Sequence, residues 1–184
     1  MSESARLFER TETLRREFDR GFAHPPHTAS ESGEDLLAIR VGGEAYAVRL
    51  AEIAGLYVDR KIVALPSPVP ELLGIVGIRG NISPVYDLGA ILGYPLDGAG
   101  RWLMSVGKTK IIGVAFQTFD GYVRAARQDF AREEGAESAR RHVREVVRVG
   151  NAVRPVINLA SVIEAITRRV RVVGPSKGAL DHAA

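Results

Sequence analysis

Val106-Gly107-Lys108-Thr109 has the ending of a phosphate-binding loop, in which backbone amides cradle a nucleotide and the lysine meets its phosphates. That motif needs a glycine five residues before Gly107, and Trp102 stands there instead. The spacing supports a plain Lys108-Thr109-Lys110 turn between two strands. Gly74, Gly77 and Gly80 recur at every third residue, which is not the dinucleotide spacing. They lie in a strand pattern rather than opening a helix, so their expected use is close approach of another backbone or side chain.

Metal chemistry has little to work with. His24 and His27 flank two prolines, His182 is close to the last residue, and His142 stands alone among arginines. No converging set of three or four ligands is visible, so neither a metal nor any other cofactor is expected. The absence of cysteine removes disulfides, thiolate metal sites and cysteine nucleophiles. No Gly-x-Ser-x-Gly elbow is present. The expectation is a protein without catalytic residues.

Charge excludes a further class. The net charge is +3, and aromatic residues make up only 7% of the chain. Arg140, Arg141, Arg144 and Arg148 cluster with no ring beside them, whereas a single-strand binder interleaves rings with its cations. That run reads as a solvated face, and no nucleic acid is expected as a partner. With 46% hydrophobic residues the chain can bury a core. Its longest apolar runs are cut by charge or proline, as at Pro66, Pro68, Pro70 and Glu71, so no membrane insertion is expected. The charged N-terminus and the lack of cysteine fit a cytoplasmic protein.

The elements that position these residues announce themselves by a repeated phrase. Gly80-Asn81-Ile82-Ser83-Pro84-Val85-Tyr86-Asp87-Leu88 returns as Gly150-Asn151-Ala152-Val153-Arg154-Pro155-Val156-Ile157-Asn158-Leu159, with one residue added before the proline. Each copy reads as a Gly-Asn turn, a β segment, a Pro-Val step, and Asp or Asn capping a helix. Two half-domains on one plan suit a binding scaffold better than a single catalytic cleft. Between and before these copies the hydrophobic period is two, as in Leu37, Ile39, Val41 and then Tyr46, Val48, Leu50 across Gly42-Gly43.

The expected strands are Leu56–Val63, Leu73–Arg79, Ile82–Tyr86, Trp102–Val106, Lys110–Phe116, Phe119–Ala125, Val143–Val149 and Ala152–Ile157, with helices at Leu88–Leu92 and Leu159–Arg168. Residues 126–141 read as a loop or a short exposed helix. Residues 3–22 read as a helix with Leu7, Leu14 and Phe18 on one stripe, suited to folding back on the body or to docking a partner helix. The expected organisation is an amphipathic helix and linker over 1–33, a β domain over 34–170 and a flexible tail over 171–184. Many short strands predict a mainly β barrel pair with few helices.

Gly74-Ile75-Val76-Gly77-Ile78-Arg79-Gly80-Asn81-Ile82-Ser83-Pro84-Val85-Tyr86-Asp87-Leu88 resembles the signature of the CheW family of bacterial chemotaxis adaptors. Tyr46–Leu50, Ala64–Pro66 and Lys110–Val114 resemble further family segments, so that the similarity covers about residues 35–168. The resemblance implies two intertwined five-stranded Src-homology-like β-barrels and non-catalytic work. Family members join the cytoplasmic tip of a chemoreceptor coiled coil to the regulatory domain of a CheA-type histidine kinase. Carried over by motif, Ile53, Gly74, Gly113, Phe119 and Tyr122 would line the receptor groove, with Arg79 as a polar anchor. Self-association into rings is a further arrangement that exposed barrel edges permit.

Three positions depart from the family pattern. Gly55 replaces a glutamate that pairs with the arginine, Gly77 replaces the signature asparagine, and Gln117 replaces an aspartate. Without a carboxylate partner Arg79 is expected to be exposed, because a buried unpaired charge costs several kcal/mol. The alternative reading is a divergent structural or regulatory member that lacks kinase coupling.

Overall fold

The structure, a computed structural model, describes residues 33–96, 100–107, 110–132 and 142–173. The stripe of Leu7, Leu14 and Phe18 and the expected tail beyond Val173 lie outside the described residues, as do Lys108 and Thr109.

Among the described residues, eleven strands and two α-helices follow in order: β1 (Gly33–Val41), β2 (Glu44–Arg49), β3 (Ile53–Val58), β4 (Leu72–Ile78), β5 (Asn81–Asp87), α1 (Leu88–Leu92), β6 (Trp102–Val106), β7 (Ile112–Phe116), β8 (Thr118–Ala126), β9 (Phe130–Arg132), β10 (Val143–Val149), β11 (Ala152–Ile157) and α2 (Leu159–Val173). They form a sheet in the order β3-β6-β7-β5-β4 and a second in the order β8-β1-β2-β11-β10-β9. The two orders follow one plan. In each, a hairpin (β6–β7 or β1–β2) is flanked by a strand on one side and by a second hairpin (β4–β5 or β10–β11) on the other. The join is parallel in both, Val85 opposite Gly113 and Val156 opposite Ala47.

The halves are intertwined. The β1–β2 hairpin comes from the first half of the chain but completes the sheet of the second, and the β6–β7 hairpin does the reverse. This exchange explains why β1 departs from simple alternation. Leu36, Leu37, Ala38 and Ile39 are all buried. Leu37, Ile39 and Val41 face a central core shared with Tyr86, Leu88, Met104 and Phe116. Leu36 faces a smaller core with Ala47, Val147 and Val156 inside its own barrel. The other barrel interior holds Val76, Ile78, Val85, Leu103 and Ala115. A strand buried on both faces reads as a nearly continuous apolar run.

The structure re-registers the repeated phrase. The two-residue turns are Arg79-Gly80, between Ile78 and Asn81, and Gly150-Asn151, between Val149 and Ala152. Gly80 therefore corresponds to Asn151 rather than to Gly150, and the added residue vanishes. Pro84 sits opposite Ile75 and Pro155 opposite Val146, the same step from each turn. Both φ angles are positive at Arg79 (49°) and Gly80 (78°), the pattern of a type I′ hairpin turn.

Four further expectations are corrected. Arg79 lies in that turn and not on the strand. The β3 strand is Ile53–Val58, and Val63 beyond it makes only an isolated bridge with Ile75. Residues 127–132 are neither loop nor α-helix alone: a 3-10 turn Arg127–Asp129 leads into β9, which covers the edge of β10 through Phe130 opposite Val147. α2 runs to Val173, past Arg168.

Candidate partner-binding groove

The 3-10 turn Leu50–Glu52 and the start of β3 face α2 across a groove of about 630 Å³, lined by Ala51, Glu52, Ile53, Ala54, Gly107, Leu159, Ala160 and Ile163. Its walls come from both halves of the chain. Leu159, Val162 and Ile166 are the core-facing stripe of α2, and Ile163 is half-buried beside that stripe at the groove. Apolar residues at i, i+3, i+4 and i+7 give an α-helix one buried face. Ile163 widens that face by one residue, and this was the available sequence signal for the groove.

Two contacts fix the start of α2. Asn158 Oδ1 accepts from the Ser161 amide at 2.8 Å, the cap predicted from sequence. Glu52 Oε2 accepts from the Leu159 amide at 3.0 Å, so the first half of the chain satisfies a helix end in the second. Further along α2, Arg169 pairs with Glu71, whose side chain is only 13% exposed. Sequence reasoning missed Glu52 and Glu71, because their partners are remote in the chain.

A second concavity, of about 440 Å³, adjoins the groove through Ala51 and is lined by Gly33, Glu34, Asp35, Arg49, Leu50 and Ala51. Arg49 bonds to Glu34 at 2.6 Å and also to Glu145, and lies 5.5 Å from the centre of the Phe130 ring. Burial pulls its guanidinium pKa down, but hydrogen bonds to Glu145 and Glu34 outweigh that and hold it above the usual value.

The residues assigned by resemblance divide. Ile53 lines the groove. Arg79 is exposed, and its Nη2 donates to the carbonyl oxygen of Ala54, a groove residue, at 3.0 Å. Gly74 and Gly113 do not line the groove. A Cβ on Gly74 would stand 2.7 Å from the Val63 carbonyl carbon and closer still to its oxygen, so this glycine admits the chain's own backbone. A Cβ on Gly113 would meet Leu103 and Val85 at 3.0 Å inside the sheet. Neither is a place where a partner helix can approach. Gly77 and Gly80, by contrast, have nothing within 4 Å of a Cβ, which corrects the close approach expected at both. Phe119 packs against Trp102 with tilted rings, centroids 5.0 Å apart, and Trp102 is at the opposite end of β6 from Val106, the neighbour of Ile53. Tyr122 is 56% exposed on β8, and the carboxylate of Asp35 raises its pKa above the ordinary value.

Among the described residues no group of three or more histidine or acidic side chains could hold a metal ion. No described helix is long and apolar enough to cross a membrane. The groove carries one carboxylate, Glu52, in an otherwise apolar lining.

The CheW-like domain family matches residues 35–166. The probable chemotaxis protein CheW of Rhizobium etli is 26% identical over 88 residues, covering 46% of this chain and 57% of that protein. The chemotaxis protein CheW of Bacillus subtilis is 28% identical over 65 residues, covering 35% of this chain and 42% of that one. The matched segments thus span about half the length of these relatives. The crystal structure of the scaffolding protein TtCheW from Thermoanaerobacter tengcongensis superposes with a TM-score of 0.61 at 15% identity, covering 68% of this chain and 88% of the other, a likeness of fold. A family match across most of the paired barrels, over the same two-sheet fold, places this chain in the CheW-like domain family.

Proposed function

We propose that this protein is a non-catalytic cytoplasmic adaptor that couples the cytoplasmic tip of a chemoreceptor coiled coil to the regulatory domain of a CheA-type histidine kinase. The observation that carries the reading is the groove between β3 and α2, bounded by both halves of a CheW-like fold. An amphipathic helix docks in such a groove through apolar anchors. Ile53 supplies one anchor and Arg79 a polar contact at the rim beside Ala54. Residues 34–170 are the adaptor domain in this reading, the Leu7, Leu14 and Phe18 stripe is a second docking element, and barrel ends serve pairing with the kinase or self-association in rings.

Reconstituted receptor, kinase and this protein provide the test. Addition of the protein should raise receptor-dependent autophosphorylation of the kinase, and Ile53→Glu should abolish the rise. No effect of the unaltered protein would retire kinase coupling. One observation favours the second reading, a structural member without that coupling: Gly55 offers no carboxylate to Arg79, which bonds to a main-chain carbonyl instead. Such a protein would organise a different complex and leave receptor-controlled phosphorylation unchanged.

A further inference from the structure

We propose that Glu52 is the specificity-determining residue of the groove and that it selects a helix carrying a lysine or arginine at the edge of its apolar stripe. The proposal rests on the reading that a helix docks here. Of the groove's eight lining residues, the other seven are apolar or glycine, and Glu52 alone is charged. A charge set in an apolar contact discriminates partners more than it strengthens them, because a like charge brought against it is strongly disfavoured.

The position of Glu52 is fixed. Its Oε2 is bound to the Leu159 amide at 3.0 Å, so the side chain does not swing away when a partner arrives. An ionised carboxylate still has acceptor capacity on its other oxygen. The N-terminus of α2 brings a partial positive charge, equivalent to roughly half a unit, which does not cancel a full negative one. Arg49, in the adjoining concavity, is engaged by Glu34 and Glu145, and Arg79, at the rim, donates to the Ala54 carbonyl; neither bonds to Glu52. A basic partner residue therefore meets uncompensated negative charge, and an acidic one meets repulsion. Exposed Ala160 and half-buried Ile163, three residues apart on α2, form the apolar edge that a second helix would meet.

Two synthetic helical peptides with one identical leucine and alanine stripe, edged by lysines in the first and by glutamates in the second, test this by titration calorimetry. The lysine peptide should bind about tenfold or more tightly than the glutamate peptide, and the difference should shrink as salt rises. Glu52→Gln keeps an oxygen for the Leu159 amide and so keeps the cap and the melting temperature. It should bring the two peptides within about twofold of each other. Undiminished preference in Glu52→Gln, or equal binding of both peptides to the unaltered protein, overturns the proposal while leaving the groove as the docking site. Ala160→Trp fills the groove from an exposed position and should abolish binding of either peptide. If the lysine peptide binds that variant as well as it binds the unaltered protein, or binds neither, the docking reading itself fails and the proposal with it.

Discussion

Arg79 donates at 3.0 Å to the main-chain carbonyl of Ala54, the residue before Gly55, where the sequence resemblance implies a glutamate. A neutral acceptor thus replaces a charged one. The bond ties the β4–β5 turn to the rim of the groove without fixing the charge of the arginine, which stays exposed and available to a partner.

Arg79→Glu should therefore weaken by about tenfold or more the binding of a partner that meets the arginine with an acidic group at the rim, while changing folding stability by no more than about 0.5 kcal/mol, as for surface changes away from packing features. Arg79→Asn, which tolerates the left-handed φ of 49°, should be neutral in stability and should isolate the loss of charge. Urea denaturation of both variants checks this. A loss above about 2 kcal/mol would make Arg79 a structural residue of the turn.

Gly74 and Gly77 offer a sharper contrast. The first has a φ of 143° and the Val63 carbonyl against its α-carbon face, whereas the second has open space. Gly74→Ala should cost about 3 kcal/mol or more, through a backbone clash in a conformation that L residues rarely adopt. Gly77→Ala should fall within about 0.5 kcal/mol of the parent, with reduced unfolded-chain entropy in its favour. Denaturation midpoints at equal slope decide it.

Much of the fold was legible in the sequence, and the physics says why. Trp102–Val106, Val143–Val149 and Ala152–Ile157 were delimited correctly because turn residues and a period of two bound them locally. The exchange of hairpins between barrels was implied only by family resemblance, since nothing local distinguishes Leu36 in one core from Leu37 in another. β9 escaped because three residues carry no period and gain their ladder only from β10. At the groove, the motif names Ile53, which lines the concavity, and helical period carries a signal for Ile163, whereas Glu52 gains its place only from tertiary pairing. Gly74 and Gly113 were recognised as sites of close approach, yet sequence could not say that the approaching atoms belong to the same chain.

Asp120 accepts from Arg154 at 2.9 Å and from Arg40 at 3.1 Å. Burial pushes its carboxyl pKa up, but the bonds to Arg154 and Arg40 prevail and hold it below the ordinary value. A depressed folded pKa means that the unfolded state takes up the proton first. The stabilisation is complete above the unfolded value of about 3.9 and is lost as pH falls through the lower folded one. Asp120→Asn should consequently be less stable than the parent at neutral pH, with the gap closing below about pH 4. Melting temperatures across the acid range check it, and a gap that is constant with pH would assign the loss to packing.

The two helix caps extend the repeat from topology to energetics. Asp87 Oδ1 accepts from the Ala90 amide at 3.0 Å and Asn158 Oδ1 from the Ser161 amide at 2.8 Å, each three residues on. Their settings differ. Asp87 is 2% exposed, ahead of a helix that ends at Leu92, whereas Asn158 is half-buried ahead of one that ends at Val173 and also has Glu52 at its start. A cap replaced by alanine costs about 0.5–2 kcal/mol. Asn158→Ala should fall near the lower end, because Glu52 still satisfies one amide of the same turn. Asp87→Ala should reach the upper end or beyond, because the helix start that it caps is buried. The double variant Glu52→Ala/Asn158→Ala should lose more than the sum of its single changes, because the second deletion strands the turn that the first left half satisfied. Chemical denaturation of the three proteins measures that coupling, and strict additivity would mean that the two caps act independently.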